Sequence, residues 1–328
     1  ETGAMSSRRR RHVVTAAAAV GGVALFVWAI EQAGVAEVLG GIRRVGWGLV
    51  PILILAGARF VARAEAWRAC MPAARRLTHG RALAAFIAGD ALGNVTPLGL
   101  FASEPTKAYL IRDDLATRDA VSSLALDNLV YAVSIVVMLT AGAIAVVTGA
   151  RLAVEWTHVV AVSAVGVLAA VLLLPRLLKG TWRPADGPRP LWRERLAAGR
   201  ESVRALVSDS SIRLGRAAAW NLGFHALAVL EIFLTLRWLL GSESPTLVQA
   251  MGFEAMNRFI TVVAKFVPFR VGVDEASSGA LAPILAVQVT TGVTLAVVRK
   301  VRVLMWSAAG LLIIAARRFR AASATGRP

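Results

Sequence analysis

Two stretches of this chain, 171 residues apart, carry the same interruption: a proline, six residues and a glutamate, set inside apolar sequence. The first runs Asn94-Val95-Thr96-Pro97-Leu98-Gly99-Leu100-Phe101-Ala102-Ser103-Glu104, and the second Phe266-Val267-Pro268-Phe269-Arg270-Val271-Gly272-Val273-Asp274-Glu275. Each follows an apolar helical run and precedes a shorter one. Breaking a helix at Pro or Gly frees backbone groups that lipid cannot satisfy, so a break at membrane depth needs protein or a water-filled cavity around it. Paired breaks in two halves of one chain are the sequence mark of a binding site between repeats. The pattern points to a carrier-like architecture rather than a simple anchor, with Pro97, Gly99, Pro268 and Gly272 as hinges.

The apolar runs around the breaks set the class. The chain is 57% hydrophobic with mean hydropathy +0.63, and several runs approach the ~20 residues needed to cross a bilayer. An all-α polytopic membrane protein with one membrane domain follows. Full spans are expected at about 13–31, 46–67, 119–149, 156–175, 213–240 and 288–316, with broken re-entrant hairpins at about 82–111 and 247–285. Glu1 to Ala4 read as a tag remnant ahead of Met5, residues 1–12 as that remnant and a basic N-terminus, 13–320 as the membrane domain and 321–328 as a tail. Arg8–Arg11 before Val13–Ile30 imitates a signal peptide, but the run is long and lacks a small-residue cleavage site, so an uncleaved span is expected. The single Cys70 excludes an internal disulfide.

A net charge of +17 raises nucleic acid as a partner. The basic residues sit between apolar runs, however, with no stacking platform or recognised nucleic-acid motif, and anionic lipid is the expected counter-charge. Their distribution also sets sidedness. Arg68, Arg75, Arg76, Arg81, Arg112, Arg118 and the Arg/Lys-rich segment 176–212 fall in loops assigned to the cytoplasm, whereas the opposite loops hold Arg43, Arg44 and Arg151. Both termini are then cytoplasmic, in the cell (inner) membrane. Three crossings between the hairpins make 46–149 and 213–316 an inverted repeat. The loop 176–212 ends in a basic amphipathic helix suited to the membrane interface.

Charged residues inside apolar runs persist where they are paired, hydrated or used, because a charge at the bilayer centre costs about 2.5–3.5 kcal/mol on insertion scales. Arg59, Arg63 and Glu65 lie in the second span, Asp127, Asn128 and Tyr131 in the third, and Asn221, His225, Glu231 and Arg237 in the fifth. Glu254, Asn257, Arg258 and Lys265 belong to the second hairpin, and Arg299, Lys300 and Arg302 to the last span. They are expected to line an internal polar cavity. Duller readings stand beside this one. Glu104 and Glu275 fit the first turn of a resumed helix as simple caps, Arg63 can snorkel to the surface, and Glu254 and Arg258 at i,i+4 can neutralise each other. The candidate lipid-binding set is Arg59, Arg63, Asn94, Glu104, Lys107, Asp127, Asn128, Arg258, Arg270, Glu275 and Arg299.

At these motifs the chain resembles the transmembrane domain of lysylphosphatidylglycerol synthases, a flippase-like family. The family's Pro, Gly-Glu and basic residue have counterparts in Pro97, Ser103-Glu104 and Lys107, and its acid–Arg pair in Asp127-Asn128. Its second motif, Pro with Gly-x-x-Glu, matches Pro268, Gly272 and Glu275, and its mid-span Arg matches Arg299. The departures at Ser103, Lys107 and Asn128 bear on substrate rather than fold. The resemblance implies movement of a polar-headgroup lipid or lipid-linked precursor between leaflets. Alternatives are an enzyme acting on a lipid-linked substrate, with Glu104, Asp127 and Glu275 as acid/base groups, and a non-transporting partner of a lipid-modifying enzyme. No metal-ligand cluster, nucleophile motif or nucleotide loop is visible, so no cofactor or metal is expected and the transporter is preferred.

Overall fold

The computed structural model describes residues 27–28, 31, 35–72, 76–96, 99–149 and 211–324. Most of the expected first span, the span 156–175, nearly all of the basic loop 176–212, and Pro97 lie outside the described residues. Within them the elements are helical: α1 (Val35–Val45), α2 (Leu49–Ala69), α3 (His79–Val95), α4 (Leu100–Leu110), α5 (Thr117–Gly149), α6 (Ser211–Leu240), α7 (Leu247–Val263), α8 (Val273–Leu281) and α9 (Val289–Ala324), with short 3₁₀ turns between some of them.

Among the described residues, three segments are long and apolar enough to cross a membrane: Val35–Ala69, which joins α1 and α2, Thr117–Thr148 and Arg213–Leu240. The 36-residue α9 is longer than any of them, but Arg299, Lys300 and Arg302 sit in its apolar course.

The packing follows from small residues. α3 buries Ala82, Ala85, Ala88, Gly89 and Ala91, a surface that lets neighbouring backbones approach closely. At Gly310 of α9 an added Cβ would stand 2.6 Å from the Ile87 carbonyl, so only glycine permits that contact. α2 packs along α6, α3 along α9 and α4, α7 along α5, and α8 along α9. Among the described residues two large apolar cores result, beside two small clusters. One joins Ile52, Ile232, Leu236, Phe253, Leu281 and Leu295, and the other joins Trp67, Met71, Phe86, Leu110, Ile111 and Leu124.

The two breaks are built differently. α3 ends in an extended Thr96 whose hydroxyl donates to the Leu92 carbonyl at 2.6 Å. Gly99 then returns so close that a Cβ would lie 2.1 Å from the Gly93 carbonyl oxygen. α7 is opened by a capping box, with Gln249 N–H donating to Thr246 Oγ1 at 3.2 Å and Thr246 N–H to Gln249 Oε1 at 2.8 Å. It ends before a strained turn in which Phe269 and Arg270 have φ of 50° and Gly272 has φ of 80°. Gly272 then leads into α8, and its N–H donates to Glu275 Oε2 at 2.8 Å.

Candidate functional site

Along α2, Ile52 belongs to the first core and Trp67 to the second. Arg59 and Arg63 lie between them and are both buried. This middle layer is ionic. Arg59 Nη1 meets Glu231 Oε2 of α6 at 2.7 Å, and Arg302 of α9 takes the other oxygen of the same carboxylate. Arg63 grips Asp127 of α5 with both terminal nitrogens, at 2.9 and 3.3 Å, and donates to Asn221 Oδ1 of α6. Arg258 Nε meets Glu254 Oε1 at 2.6 Å, and its Nη1 donates to the Tyr131 hydroxyl at 3.1 Å. Aromatic faces complete the shell: the Arg63 guanidinium lies 3.8 Å from the Tyr131 ring centre and that of Arg59 4.8 Å from Phe224. Buried charges of this kind are tolerated because each is paired, and removing one partner of such a pair costs about 3–5 kcal/mol.

These pairs form one wall of a cavity of about 640 Å³. α2, α3, α4, α5, α6, α7 and α9 enclose it, with the two breaks at its margin. Arg59, Arg63, Lys107, Arg258, Lys265, Arg270 and Arg302 line it, against only two acidic side chains, Asp90 and Glu104. Glu231, Asp127 and Glu254 stand behind the lining as a second row of carboxylates, each fixing one or two of the cations. The wall therefore presents positive charge inward while staying close to neutral overall. Apolar residues such as Phe60, Ile135, Val136, Leu139 and Val262 line the rest. An elongated molecule with an anionic head and an apolar flank matches this surface. Among the described residues no group of three or more His, Cys, Asp or Glu is placed to hold a metal.

Of the lipid-binding residues expected from sequence, Arg59, Arg63, Asn94, Glu104, Lys107, Asn128, Arg258 and Arg270 line this one cavity, together with the hinge Gly99. Asp127 stands one layer back, holding Arg63. Glu275 and Arg299 are not among the lining residues. Glu275 is fully buried, caps the Gly272 N–H and lies 3.2 Å from Lys300. Arg299 donates to Ser278 Oγ at 2.9 Å. The dull reading of Glu275 as a first-turn cap fits the geometry. The same reading does not fit Glu104, which sits past the first turn of α4 and pairs with Lys107 at 2.8 Å. One oxygen of Glu104, Oε2, is buried without a hydrogen-bond partner. Arg63 does not snorkel, being only 5% exposed and held by Asp127. Glu254 and Arg258 do neutralise each other, yet Arg258 also faces the cavity.

Asp90 was absent from the sequence-derived set. It lines the cavity from α3, accepts a hydrogen bond from Asn94 Nδ2 at 2.9 Å, and has no ion-pair partner among the described residues. Its only sequence signal is a single acid inside the small-residue run Ala84–Ala91, which alone names no role. Lys265 and Arg302 were read as intramembrane charges, and their place in the lining emerges only when α7 and α9 fold against α2 and α3.

Searches of curated proteins and of solved structures return no match to this chain. The family model described as the lysylphosphatidylglycerol synthase TM region matches residues 13–316. That interval includes both helix breaks and every cavity-lining residue. The helices long enough to cross a bilayer, the ionic layer at mid-helix and this match agree: the chain is a membrane protein of the lysylphosphatidylglycerol synthase TM-region family.

Proposed function

We propose that the protein is a flippase-like transporter that moves a polar-headgroup lipid between leaflets. The headgroup passes through the charged cavity while the acyl chains stay in the surrounding hydrocarbon. The observation that carries this reading is the composition of the cavity wall: seven cationic side chains facing inward, most of them fixed by a second row of buried carboxylates. Cations fixed in this way need not reorganise to receive a phosphate group. In a water-poor cavity each charge interaction is several times stronger than in bulk water. An anionic headgroup is the ligand that such a wall selects.

The packing supports an inverted repeat of α2–α5 and α6–α9 with two re-entrant hairpins. α3 of the first half packs on α9, the last helix of the second; α7 of the second half packs on α5, the last helix of the first; α2 meets its counterpart α6 at the centre. That reciprocity is what a two-fold relation between the halves would produce. In this arrangement Thr106 faces the cytoplasmic vestibule and Ser277 the outer one, with both termini cytoplasmic in the cell membrane. Single-cysteine labelling in a Cys70→Ser background tests the sidedness. Labelling of both positions from one side would remove the repeat.

Arg270 tests the function with little risk to the fold. It lines the cavity and pairs with Asp274 at 3.3 Å, and Asp274 keeps Lys300 when Arg270 is lost. Because Arg270 has φ of 50°, asparagine is a substitution that, among residues with a Cβ, this backbone tolerates well. In proteoliposomes Arg270→Asn should slow translocation of an anionic phospholipid by about tenfold, equivalent to about 1.4 kcal/mol, and that of a zwitterionic one much less. Equal rates for variant and wild type with both lipids would refute the headgroup pathway.

A further inference from the structure

Among the described residues, Asp90 is the one carboxylate in the wall of the charged cavity without a cation of its own. The wall's other acid, Glu104, pairs with Lys107 at 2.8 Å. The carboxylates behind the wall are committed as well: Glu231 to Arg59 and Arg302, Asp127 to Arg63, Glu254 to Arg258, and Asp274 to Arg270 and Lys300. Asp90 has only the neutral Asn94 amide, one turn further along α3, donating to it at 2.9 Å.

The surroundings of Asp90 are nonetheless cationic. α4 brings Lys107, which crosses α3 so closely that a Cβ at Gly89 would stand 2.6 Å from Lys107 Cγ. The second break brings Arg270 and α9 brings Arg302, and these three cations are the ones whose charge bears on the Asp90 carboxylate. α2 lines the same cavity with Arg59 and Arg63, each held by its own carboxylate. A phosphate entering the cavity on this side meets the same Lys107, Arg270 and Arg302. An ionised Asp90 and a phosphodiester therefore compete for one set of charges, and in a water-poor cavity their mutual repulsion is several times stronger than in water. A proton on Asp90 removes the conflict, and the carboxyl O–H can then donate to a phosphate oxygen. Linkage makes the effect reciprocal: what the proton adds to phosphate affinity, the phosphate adds to proton affinity.

We propose that Asp90 is a proton-binding site of the cavity, taking up one proton for each phosphodiester headgroup bound, so that proton and lipid travel together. The proposal rests on the lipid-headgroup reading of the cavity and adds its coupling ion. The proton comes from water at one face of the membrane, is carried on an Asp90 carboxylate oxygen, and returns to water at the other face when the headgroup leaves. The unit that moves is electrically neutral, one phosphodiester charge and one proton. A pH difference across the membrane therefore drives it and a membrane potential does not.

The test measures proton uptake as short-chain phosphatidylglycerol binds the full chain in weakly buffered detergent, with a short-chain diacylglycerol as the phosphate-free control. Phosphatidylglycerol should take up a substantial fraction of one proton per bound lipid, and diacylglycerol none. Wild-type protein should bind phosphatidylglycerol about tenfold more tightly at about pH 5 than at about pH 8. Asp90→Asn, which keeps the side-chain volume, should take up no proton and bind equally at both. A second measurement needs no variant: in wild-type proteoliposomes an imposed pH gradient should enrich phosphatidylglycerol in the leaflet facing the alkaline side, and a potassium diffusion potential should not. Binding without proton uptake, uptake that persists in Asp90→Asn, or movement that follows the potential instead of the pH gradient would overturn the proton site and leave the headgroup pathway standing. Failure of phosphatidylglycerol to bind at either pH would overturn the headgroup reading, and the coupling with it.

Discussion

The two helix breaks share a sequence pattern and do different work. At the first, Glu104 and Lys107 pair one turn apart on α4, both line the cavity, and a carboxylate oxygen stays without a hydrogen-bond partner. At the second, Glu275 turns away from the cavity, caps the backbone at Gly272 and meets Lys300 from α9. The glycines differ as well. Gly99 is needed because α3 and α4 nearly touch at Gly93, while Gly272 is needed because the chain turns through a positive φ. The repeated glutamate thus lines the cavity at the first break and fastens the fold at the second, where Arg270 supplies the lining instead. The partner helix decides which: α9 delivers Lys300 to the second break, whereas Glu104 pairs with Lys107 of its own helix among the described residues.

The largest expected contrast is in stability. Glu275→Ala removes a buried carboxylate shared by a backbone N–H and Lys300, and should lower stability by about 3 kcal/mol. Glu104→Ala leaves the buried Lys107 without its carboxylate, though Glu104 itself is partly exposed, and should cost about 2 kcal/mol, less than Glu275→Ala. Unfolding of the two variants in the same detergent checks this; equal losses would mean that the breaks are equivalent after all.

A middle-sized effect separates the glycines. Gly272→Ala forces a Cβ into the left-handed region, at about 1–2 kcal/mol, without touching the cavity wall. Gly99→Ala instead places a Cβ against the Gly93 backbone, so α3 and α4 must separate at the cavity margin. Translocation per folded molecule should therefore fall for Gly99→Ala and stay near wild type for Gly272→Ala. The opposite order would exchange the roles of the two breaks.

The smallest effect lies at the base of the first hairpin, where exposed Arg81 meets Asp114 at 2.7 Å. Arg81→Ala should cost less than about 1 kcal/mol and vanish at high salt. A larger loss measured by unfolding would show that the hairpin depends on its outer tether rather than on Gly99 and the small-residue face of α3.

Helices and breaks were legible in the sequence because their causes are local: apolar run length, and Pro and Gly. Most of the charged lining was legible too, since Arg59, Arg63, Arg258 and Arg270 have few other reasons to sit in apolar sequence. The pairings were not. Arg59 finds Glu231 across 172 residues and Arg63 finds Asp127 across 64, separations that no helical periodicity encodes. Glu275 looked like a lining residue because its motif matches that of Glu104, and the choice between facing the cavity and facing Lys300 is made only by the packing of α8 on α9. Asp90 escaped notice because one acid among alanines has no spacing to read.

The central claim is that Glu104 and Lys107 of the first break face the lipid headgroup while Glu275 and Lys300 hold the fold at the second. Headgroup translocation in proteoliposomes by two lysine variants, scaled to correctly folded protein, tests it most directly. Lys107 lines the cavity and Lys300 does not; Lys300 instead donates to the Phe269 and Arg270 carbonyls and lies near Asp274 and Glu275. The account predicts that Lys107→Gln slows anionic-lipid movement by about tenfold or more, at a smaller loss of stability than Lys300→Gln. It predicts that Lys300→Gln lowers stability while its folded fraction transports normally. Normal transport by Lys107→Gln, together with a transport defect in stable Lys300→Gln protein, would contradict it.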